Sequence, residues 1–418
     1  MPAPTQKQTR STLSQKTMPY WFILGRERAI SASEIESVLT YSSDNKAGLS
    51  FQRSENFPIL KVNGSLISPK ELIRRLGGTI KIAQEIRTDI TENSLQQEII
   101  QELQTVSGKI NFGLSFYTAN RNDFENAAFV KNLGKKIKAE LKEQGLSVRY
   151  VENRDIILSS VTVEKNNLTG RGREFLIQKN LNNTFSLAKT EAVQPFEEFS
   201  ARDFGRPGRD DVSGMLPPKL ALMMINLSLQ PLSATILDPF CGSGTILSEG
   251  LLLGYTKLIG TDSSERAIDD SQKNINWTIE KFNLDASNLK IKIQPKHVEN
   301  ISQFLAPFSI DAVIAEPYMG KPLKGRETRE ELLQQAHTLK KLYLEAFAQF
   351  NKILKPSGIV VFLIPCFKWQ HDWITINCQK EITALGFKTV PFIENRMPLL
   401  YARPDQRVGR EIWRFEKI

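Results

Sequence analysis

The sequence predicts an α/β fold whose C-terminal half is built on a mainly parallel sheet. An apolar strand that ends in Asp238 leads through the turn Gly242-Ser243-Gly244 into a helical pattern at residues 245–253. Glycines in such a turn let the backbone approach a ligand closely. The next apolar strand ends directly before a second acid, Asp262. Because one carboxylate can accept hydrogen bonds from both hydroxyls of a ribose, this unit favours an adenosine-containing cofactor.

The segments before this unit predict a tail, two smaller α/β units and a linker. Residues 1–18 contain no acid and no apolar core, so we expect a disordered tail, with an organellar transit peptide as the alternative. Apolar patterns predict strands and helices in both following units. The predicted boundaries are a ferredoxin-like module at 19–80, a second unit at 81–190 with a hairpin at 160–174, a linker and docking helix at 191–225, and the C-terminal domain at 226–418.

Composition restricts the class of protein. The chain has 418 residues, 40% of them hydrophobic, which is enough for ordinary globular cores. No apolar run approaches the ~18 residues that would span a membrane, so we expect a cytoplasmic protein without membrane contact. The net charge of +9 favours a polyanionic partner. The three cysteines lack paired ligand spacing, so we expect neither a disulfide nor a metal site.

The turn itself narrows the choice of cofactor. A dinucleotide site needs G-x-G-x-x-G, but Leu247 stands in the third glycine position, and no P-loop lysine follows. The stretch from Asp238 to Thr245 reads D-P-F-C-G-S-G-T and resembles the first motif of S-adenosylmethionine-dependent methyltransferases that act on nucleobase amino groups. The resemblance implies that Asp238 stands near the methionine ammonium and that Asp262 binds the ribose. It implies the following cofactor-binding residues: Asp238, Pro239, Phe240, Cys241, Gly242, Gly244, Thr245, Asp262 and His297.

One cofactor contact departs from the family pattern. The family usually places an aspartate that reads the adenine amino group after the third strand, here at residues 290–294. This chain has Lys296-His297-Val298-Glu299 instead. His297 or Glu299 would have to replace the aspartate, with an exposed loop histidine as the alternative.

The predicted catalytic residues follow the apolar strand at residues 310–315, since ligands of such sheets gather at strand carboxyl ends. They are Glu316, Pro317 and Tyr318. Amino methyltransferases have Asp/Asn-Pro-Pro-Tyr/Phe here, because the exocyclic nitrogen needs two hydrogen-bond acceptors and the base a stacking ring. This chain has Glu for Asp/Asn and a single proline. If Gly320 aligns with the family glycine, Met319 takes the aromatic position.

Two further resemblances point to RNA. Residues 147–175 resemble the end of the THUMP domain, which binds RNA in RNA-modifying enzymes. Residues 202–221, with R-P-G-R-D and P-P-K-L-A, resemble the linker of the family that methylates the N2 amino group of a guanosine in tRNA. The arginines of this linker serve equally well as structural ion pairs with Asp203, Asp210 and Asp211. The predicted substrate-binding residues are Arg171, Arg173, Lys321, Lys324 and Arg326.

The resemblances imply an α/β protein with an N-terminal module, a THUMP domain and a Rossmann-like class I methyltransferase domain with a seven-stranded sheet. The implied activity is methyl transfer from S-adenosylmethionine to guanine N2 in tRNA. A small activating protein partner is left open. The alternatives are an adenine-N6 methyltransferase acting on DNA or RNA, and a catalytically silent RNA-binding protein that retains the fold.

Overall fold

A computed structural model describes residues 18–42, 48–64, 68–119, 123–209, 215–392, 395–403 and 406–418. The predicted tail, apart from Met18, lies outside these residues, as do Asp210 and Asp211 of the linker. No helix in the described ranges is long and apolar enough to cross a membrane.

The N-terminal half forms one eight-stranded sheet in the order β2-β3-β1-β4-β8-β7-β5-β6. Buried aliphatic and aromatic side chains form its core, as the apolar patterns predict. The elements are β1 (Tyr20–Leu24), α1 (Arg28–Ser42), β2 (Ser50–Arg53), β3 (Ile59–Asn63), α2 (Pro69–Arg75), β4 (Thr79–Ile90), α3 (Glu92–Gln104), β5 (Ile110–Tyr117), α4 (Asp123–Glu143), β6 (Val148–Tyr150), α5 (Ser160–Lys165), β7 (Arg173–Lys179) and β8 (Phe185–Val193).

Strand β4 connects the two N-terminal units that the sequence analysis predicts, 19–80 and 81–190. One edge of β4 pairs with β1 and the other with β8, so the predicted boundary near residue 80 falls inside one hydrogen-bonded sheet. Lys81 of β4 and Glu174 of β7 form a fully buried ion pair. Hydroxyls of Ser115 and Thr190 donate to the Glu174 carboxylate at 2.6 and 2.7 Å. These bonds satisfy a charge that would otherwise be costly to bury.

The predicted hairpin at residues 160–174 is wrong. The segment begins with α5, whose first turn is capped by the Ser159 hydroxyl accepting the Thr162 N–H at 3.1 Å. Asn167 then adopts a left-handed conformation, with φ of 51°, and breaks the helix. Only Arg173 and Glu174 belong to a strand, β7. The Ser159 cap satisfies an N–H donor at the start of the helix. The alternating apolar pattern gives no indication of this cap, so it suggests strands instead.

The C-terminal half forms the second sheet. Its elements, with the helices that lead into it, are α6 (Phe196–Phe204), α7 (Pro218–Leu227), β9 (Thr235–Asp238), α8 (Thr245–Leu253), β10 (Lys257–Asp262), α9 (Glu265–Lys281), β11 (Lys290–Pro295), a 3-10 helix (Val298–Gln303), β12 (Ile310–Ala315), α10 (Arg329–Ile353), β13 (Leu354–Trp369), β14 (Asp372–Thr375), α11 (Gln379–Ala384), β15 (Phe387–Thr389), β16 (Leu399–Tyr401) and β17 (Val408–Lys417).

The strand count of the second sheet exceeds the prediction of seven. Seven strands follow the order β11-β10-β9-β12-β13-β17-β15, and the short β14 and β16 pair with β13 and β17, which makes nine. Strands β9 to β13 are parallel, and β17 is antiparallel to β13. The chain order reverses between β9 and β12. Ligands of such sheets bind at the carboxyl ends of strands beside this switch point.

Helix α7 joins the two halves. Every residue of α7 except Lys219 is buried, and Ile30 of α1 belongs to the same apolar cluster. Glu34 of α1 accepts N–H groups of Gly77 at 2.8 Å and Gly78 at 2.9 Å, and the Asn226 side chain of α7 donates to it at 2.8 Å. Burial raises the pKa of Glu34 to about 7 in spite of these donors. The N-terminal sheet and the C-terminal domain are therefore in direct contact.

Candidate active site

The turn after β9 has the backbone that its glycines predict. Gly242 and Gly244 adopt left-handed conformations, with φ of 49° and 79°. A side chain on Gly244 would also place its Cβ 2.4 Å from Ser271 Oγ on α9. The turn is closed by the Gly244 N–H, which donates to the Cys241 carbonyl at 2.7 Å. Other residues are strained at such φ values, so both glycines are required for this close turn.

Asp262 ties the turn to the next strand. One carboxylate oxygen accepts the Gly242 N–H at 3.0 Å, and the other accepts the Ser264 N–H at 2.9 Å. A carboxylate offers about four lone-pair sites, so two remain for ligand hydroxyls. Asp262 therefore holds the turn in place and keeps acceptor capacity at the strand end.

Asp238 is buried beneath the turn, with 2% of its surface exposed. Burial raises its pKa well above the ordinary value, and Asp262 and Glu316 raise it further, while the Phe240 N–H lowers it. Asp238 ends β9, Asp262 ends β10 and Glu316 directly follows β12, so the three acids lie at the carboxyl ends of neighbouring strands. A cationic ligand at this position would stabilise the ionised form of Asp238.

Phe240 and Cys241 complete the turn without reactive groups. The Phe240 ring packs edge-on against Phe362 with centroids 6.4 Å apart. The Cys241 thiol is buried, and desolvation together with Asp238 and Asp262 raises its pKa well above the usual range. All three cysteines are free and buried. Cys241 therefore stays a neutral thiol and packs as an apolar side chain.

The linker contacts the first turn of α8. Arg206 is 4% exposed, and its Nη1 donates to the Thr245 hydroxyl at 2.6 Å. Gly208 exchanges two hydrogen bonds of 2.8 Å with the Asn274 side chain on α9. The sequence offered ligand contact or ion pairs with nearby acids for this arginine. One of its hydrogen bonds goes to Thr245, a residue of the predicted cofactor site. Burial lowers the pKa of Arg206, and the nearby acids Glu249 and Asp203 raise it.

A second linker arginine forms a buried ion pair that sequence reasoning did not find. Arg202 of α6 donates to Glu249 of α8 at 2.7 Å, with side chains 7% and 2% exposed. Its guanidinium also stacks on Phe199, 3.8 Å from the ring centroid. Burial raises the pKa of Glu249 to about 7, although Arg202 and Arg206 lower it. No local pattern links residues 47 positions apart.

Glu316 stands at the end of β12, and its partner is an arginine that the sequence analysis missed. Arg410 Nε donates to Glu316 Oε1 at 2.6 Å, and the two side chains are 17% and 15% exposed. Arg410 lies near the start of β17, opposite Pro365 of β13. Because β17 is antiparallel, its start lies at the edge where the parallel strands end. In the sequence, only the position of a charged residue near the start of a strand could have indicated this contact.

The residues after Glu316 are fixed through their backbone. The buried Tyr343 hydroxyl of α10 donates to the Tyr318 carbonyl at 2.8 Å. Tyr318 leaves 55% of its surface exposed, whereas Pro317 is buried and Met319 half-buried. Within the described ranges, no hydrogen bond to the Pro317 carbonyl is recorded. The segment thus combines an acceptor carbonyl with an exposed aromatic ring.

The predicted adenine and phosphate contacts lie at the surface. His297 and Glu299 are exposed just after β11. Arg171 is exposed beside β7, whereas Arg173 donates to the Gly170 and Gly172 carbonyls, both at 2.8 Å. Arg173 begins β7 of the N-terminal sheet, and Arg171 lies two residues before it. Arg173 is therefore partly engaged by its own turn.

The other predicted substrate-binding residues lie in the loop after Glu316. The Lys321, Lys324 and Arg326 side chains are exposed. Glu327 accepts the backbone N–H groups of Lys324 and Gly325, and these bonds lower the pKa of Glu327. A basic loop with a fixed backbone therefore stands beside the end of β12.

Comparisons with known proteins assign the chain to a family. A family described as RMKL-like, methyltransferase domain, matches residues 206–375. A curated relative from Methanothermococcus thermolithotrophicus, named probable tRNA (guanine(10)-N2)-dimethyltransferase, is 34% identical over 150 residues, which are 34% of this chain and 78% of the relative. The chain belongs to the tRNA (guanine-N2) methyltransferase family. This membership confirms the predicted family.

Other similarities define how far the match extends. A relative from Methanocaldococcus jannaschii, named tRNA (guanine(10)-N2)-dimethyltransferase, is 29% identical over 191 residues, or 44% of this chain and 47% of the relative. The chain spans about half the length of the first curated relatives it matches. A DNA methylase family matches residues 118–273, which end before β12. The crystal structure of TrmN from Thermus thermophilus, 14% identical, aligns with 96% of this chain and 100% of its own length at a TM-score of 0.57, which confirms the fold class.

The site fits the cofactor of a methyltransferase. S-adenosylmethionine carries an ammonium and a sulfonium, and three acids lie at the strand ends where the glycine turn leaves room for a ligand. The methyltransferase-domain match and the family membership confirm S-adenosylmethionine as the cofactor. The residues that contact it stay predictions.

Proposed function

We propose that this protein methylates the exocyclic N2 of a guanosine in tRNA. The observation that carries the proposal is that Glu316, Asp238 and Asp262 lie at the carboxyl ends of three neighbouring strands of the second sheet. This arrangement would bring an acceptor for the amino group next to the cofactor site. Family membership and the tRNA named for the relatives support the substrate class.

Catalysis of this reaction requires the protein mainly to position the amino group and the methyl donor. When bound, S-adenosylmethionine would supply the methyl group by in-line displacement: the S–CH3 bond breaks as the N–CH3 bond forms, and the nitrogen releases one proton to solvent. The Glu316 carboxylate and the Pro317 carbonyl hold the two amino hydrogens, which favours a more tetrahedral nitrogen with an available lone pair. The exposed Tyr318 ring stacks on the extruded base. Asp238 faces the methionine ammonium and Asp262 the ribose, while Pro239, Phe240, Cys241, Thr245 and His297 complete the cofactor contacts.

The same proposal assigns RNA contacts to two surfaces. Lys321, Lys324 and Arg326 lie beside the β12 edge, and Arg171 and Arg173 lie around the start of β7. Lys131, Lys135, Lys136 and Lys142 add exposed charge along α4. Phosphate contacts of this kind would make tRNA affinity fall steeply with salt. The cytoplasmic location and the small activating partner stay predictions.

The proposal is tested by transfer of labelled methyl from S-adenosylmethionine to unmodified tRNA transcripts, with product nucleosides identified by mass spectrometry. We expect N2-methylguanosine with the wild type and none with Asp238→Asn. Methyladenosine would instead support the alternative favoured by the DNA methylase match. Cofactor and tRNA binding without any product would support the silent RNA-binding protein.

The role of Asp262 has its own test. Replacing Asp262 with alanine removes both the acceptor for the ribose and the bond that holds Gly242. We expect cofactor affinity to fall by about 10- to 100-fold, the usual cost of losing charged hydrogen bonds. Isothermal titration calorimetry measures it, with Asp285→Ala, an exposed acid between α9 and β11, as the control. An unaltered dissociation constant would remove Asp262 from the cofactor site.

The raised pKa of Asp238 predicts proton release on cofactor binding. In the free protein this buried acid stays protonated above its usual range, and a bound ammonium would stabilise its ionised form. The pKa therefore falls on binding, and affinity rises with pH between the bound and free values. Calorimetry in buffers of different ionisation enthalpy measures the released proton. Asp238→Asn should abolish the release, and equal heats in all buffers with the wild type would contradict the assignment.

A further inference from the structure

The Glu316–Arg410 pair combines acceptors and donors that face the same edge of the sheet. Arg410 uses Nε for its bond to Oε1 of Glu316. For the described part of the chain, no hydrogen bond to Glu316 Oε2 or from the terminal nitrogens of Arg410 is recorded. Both side chains keep some exposure, 15% and 17%. Hydrogen-bonding capacity thus remains on both members of the pair.

The position of the pair follows from strand register. Ala315 of β12 lies opposite Phe362 of β13, and Phe362 lies opposite Trp413 of β17. Arg410 precedes Trp413 on an antiparallel strand, so it extends past the end of β12, where Glu316 begins the loop. Arg410 therefore reaches across β13 into the catalytic edge. It also offsets negative charge in a site that already contains Asp238 and Asp262.

We propose that Glu316 and Arg410 together read the Watson–Crick edge of guanine, with Arg410 as a specificity-determining residue that binds O6. This inference rests on the proposed function. Guanine presents two adjacent donors, the N2 amino group and N1–H, followed by the O6 acceptor. A carboxylate accepts from both donors, and the neighbouring guanidinium donates to O6. One amino hydrogen remains for the Pro317 carbonyl.

The same pair rejects adenine. Adenine presents an amino donor followed by the N1 lone pair, which would face the Glu316 carboxylate and leave Arg410 without its O6 partner. A site built to bind a polar group discriminates strongly against a base that lacks it, because buried polar groups are left unpaired. Arg410 also accounts for the extra methylene of Glu316 relative to Asp, since its bond fixes the longer side chain at the strand end.

The test compares guanosine with 6-thioguanosine at the target nucleotide. 6-Thioguanine keeps the C2 amino group and N1–H, and replaces only O6, with a sulfur that is a much weaker hydrogen-bond acceptor. Wild-type product analysis first maps the methylated guanosine, and tRNAs with either base at that position are then made by ligation. We expect Arg410→Ala to reduce the guanosine to 6-thioguanosine ratio of kcat/KM by about 10-fold, the lower end of a base contact because sulfur still accepts weakly. Lys388→Ala, which removes an exposed partner of Glu416 near the other end of β17, should leave the ratio unchanged.

The ratio separates specificity from a purely structural role. If Arg410 only orients Glu316, its removal lowers activity on both bases equally, and that result would overturn the proposal. If Arg410→Ala does not fold, as judged by thermal unfolding, Arg410→Gln should still lower the ratio. A wild type that makes no N2-methylguanosine would refute the proposed function and this inference with it. Methylation of guanosine with an unchanged ratio would refute the inference alone.

Discussion

Replacing Glu316 with alanine is expected to reduce methyl transfer by about a hundredfold or more, in the range of positioned catalytic groups. The substitution removes the acceptor that would hold the amino group, while the glycine turn and its bond to Asp262 remain. Cofactor and tRNA affinity should therefore change only a few-fold. Single-turnover methylation and equilibrium binding, measured on the same preparation, separate these effects.

The matched control is Glu381→Ala on α11. Glu381 is an exposed acid paired with Lys340 at 2.7 Å, so its loss should cost little. Unchanged methylation in Glu316→Ala would remove Glu316 from the mechanism. Glu316→Asp restores the acid of the family motif but shortens the reach to Arg410. We expect it to keep more activity than alanine and less than the wild type, because in-line transfer is sensitive to small displacements.

Replacing Arg202 with methionine is expected to lower the free energy of unfolding by about 3–5 kcal/mol, because it leaves Glu249 buried without its partner. Arg202 and Arg206 lower the pKa of Glu249, which burial raises to about 7. Loss of Arg202 raises this pKa further. Urea unfolding measures the change, with tryptophan fluorescence as the signal.

The raised pKa of Glu249 also predicts how the cost of Arg202→Met changes with pH. The folded pKa of Glu249 lies above the ordinary carboxyl value of 4.5, so its contribution to stability is complete below that value and is lost as pH rises through about 7. The cost of Arg202→Met should therefore be greater at pH 8 than at pH 5. Removing the charge as well, in Arg202→Met with Glu249→Leu, should recover most of the loss.

The control for Arg202 is an exposed pair of the same type. Arg74 and Glu198 lie 3.0 Å apart with side chains 62% and 36% exposed, so Arg74→Met should cost at most about 1 kcal/mol. Equal losses of unfolding free energy in Arg74→Met and Arg202→Met would show that burial does not determine how strongly the Arg202–Glu249 pair stabilises the protein. A larger cost at Arg202 would show that the linker stabilises the helix that follows the cofactor turn.

Local sequence determined the elements around the cofactor site. The apolar strands, the acids at their ends and the glycine turn follow from short patterns, because strand burial and left-handed backbone are properties of a few consecutive residues. These patterns were sufficient to predict Gly242, Gly244 and Asp262 as one unit, and the structure joins them directly.

Tertiary structure alone decided the contacts that connect distant parts of the chain. Arg410 meets Glu316 across 94 positions because an antiparallel strand returns to the ligand edge, and Arg202 meets Glu249 because the linker docks on α8. Strand β4 joins both N-terminal units because each of its edges has a partner. Such contacts depend on strand order and helix docking, which no short stretch of residues encodes. The sequence therefore predicted the strand ends and the turn of the candidate site, and the fold decided which charges surround them.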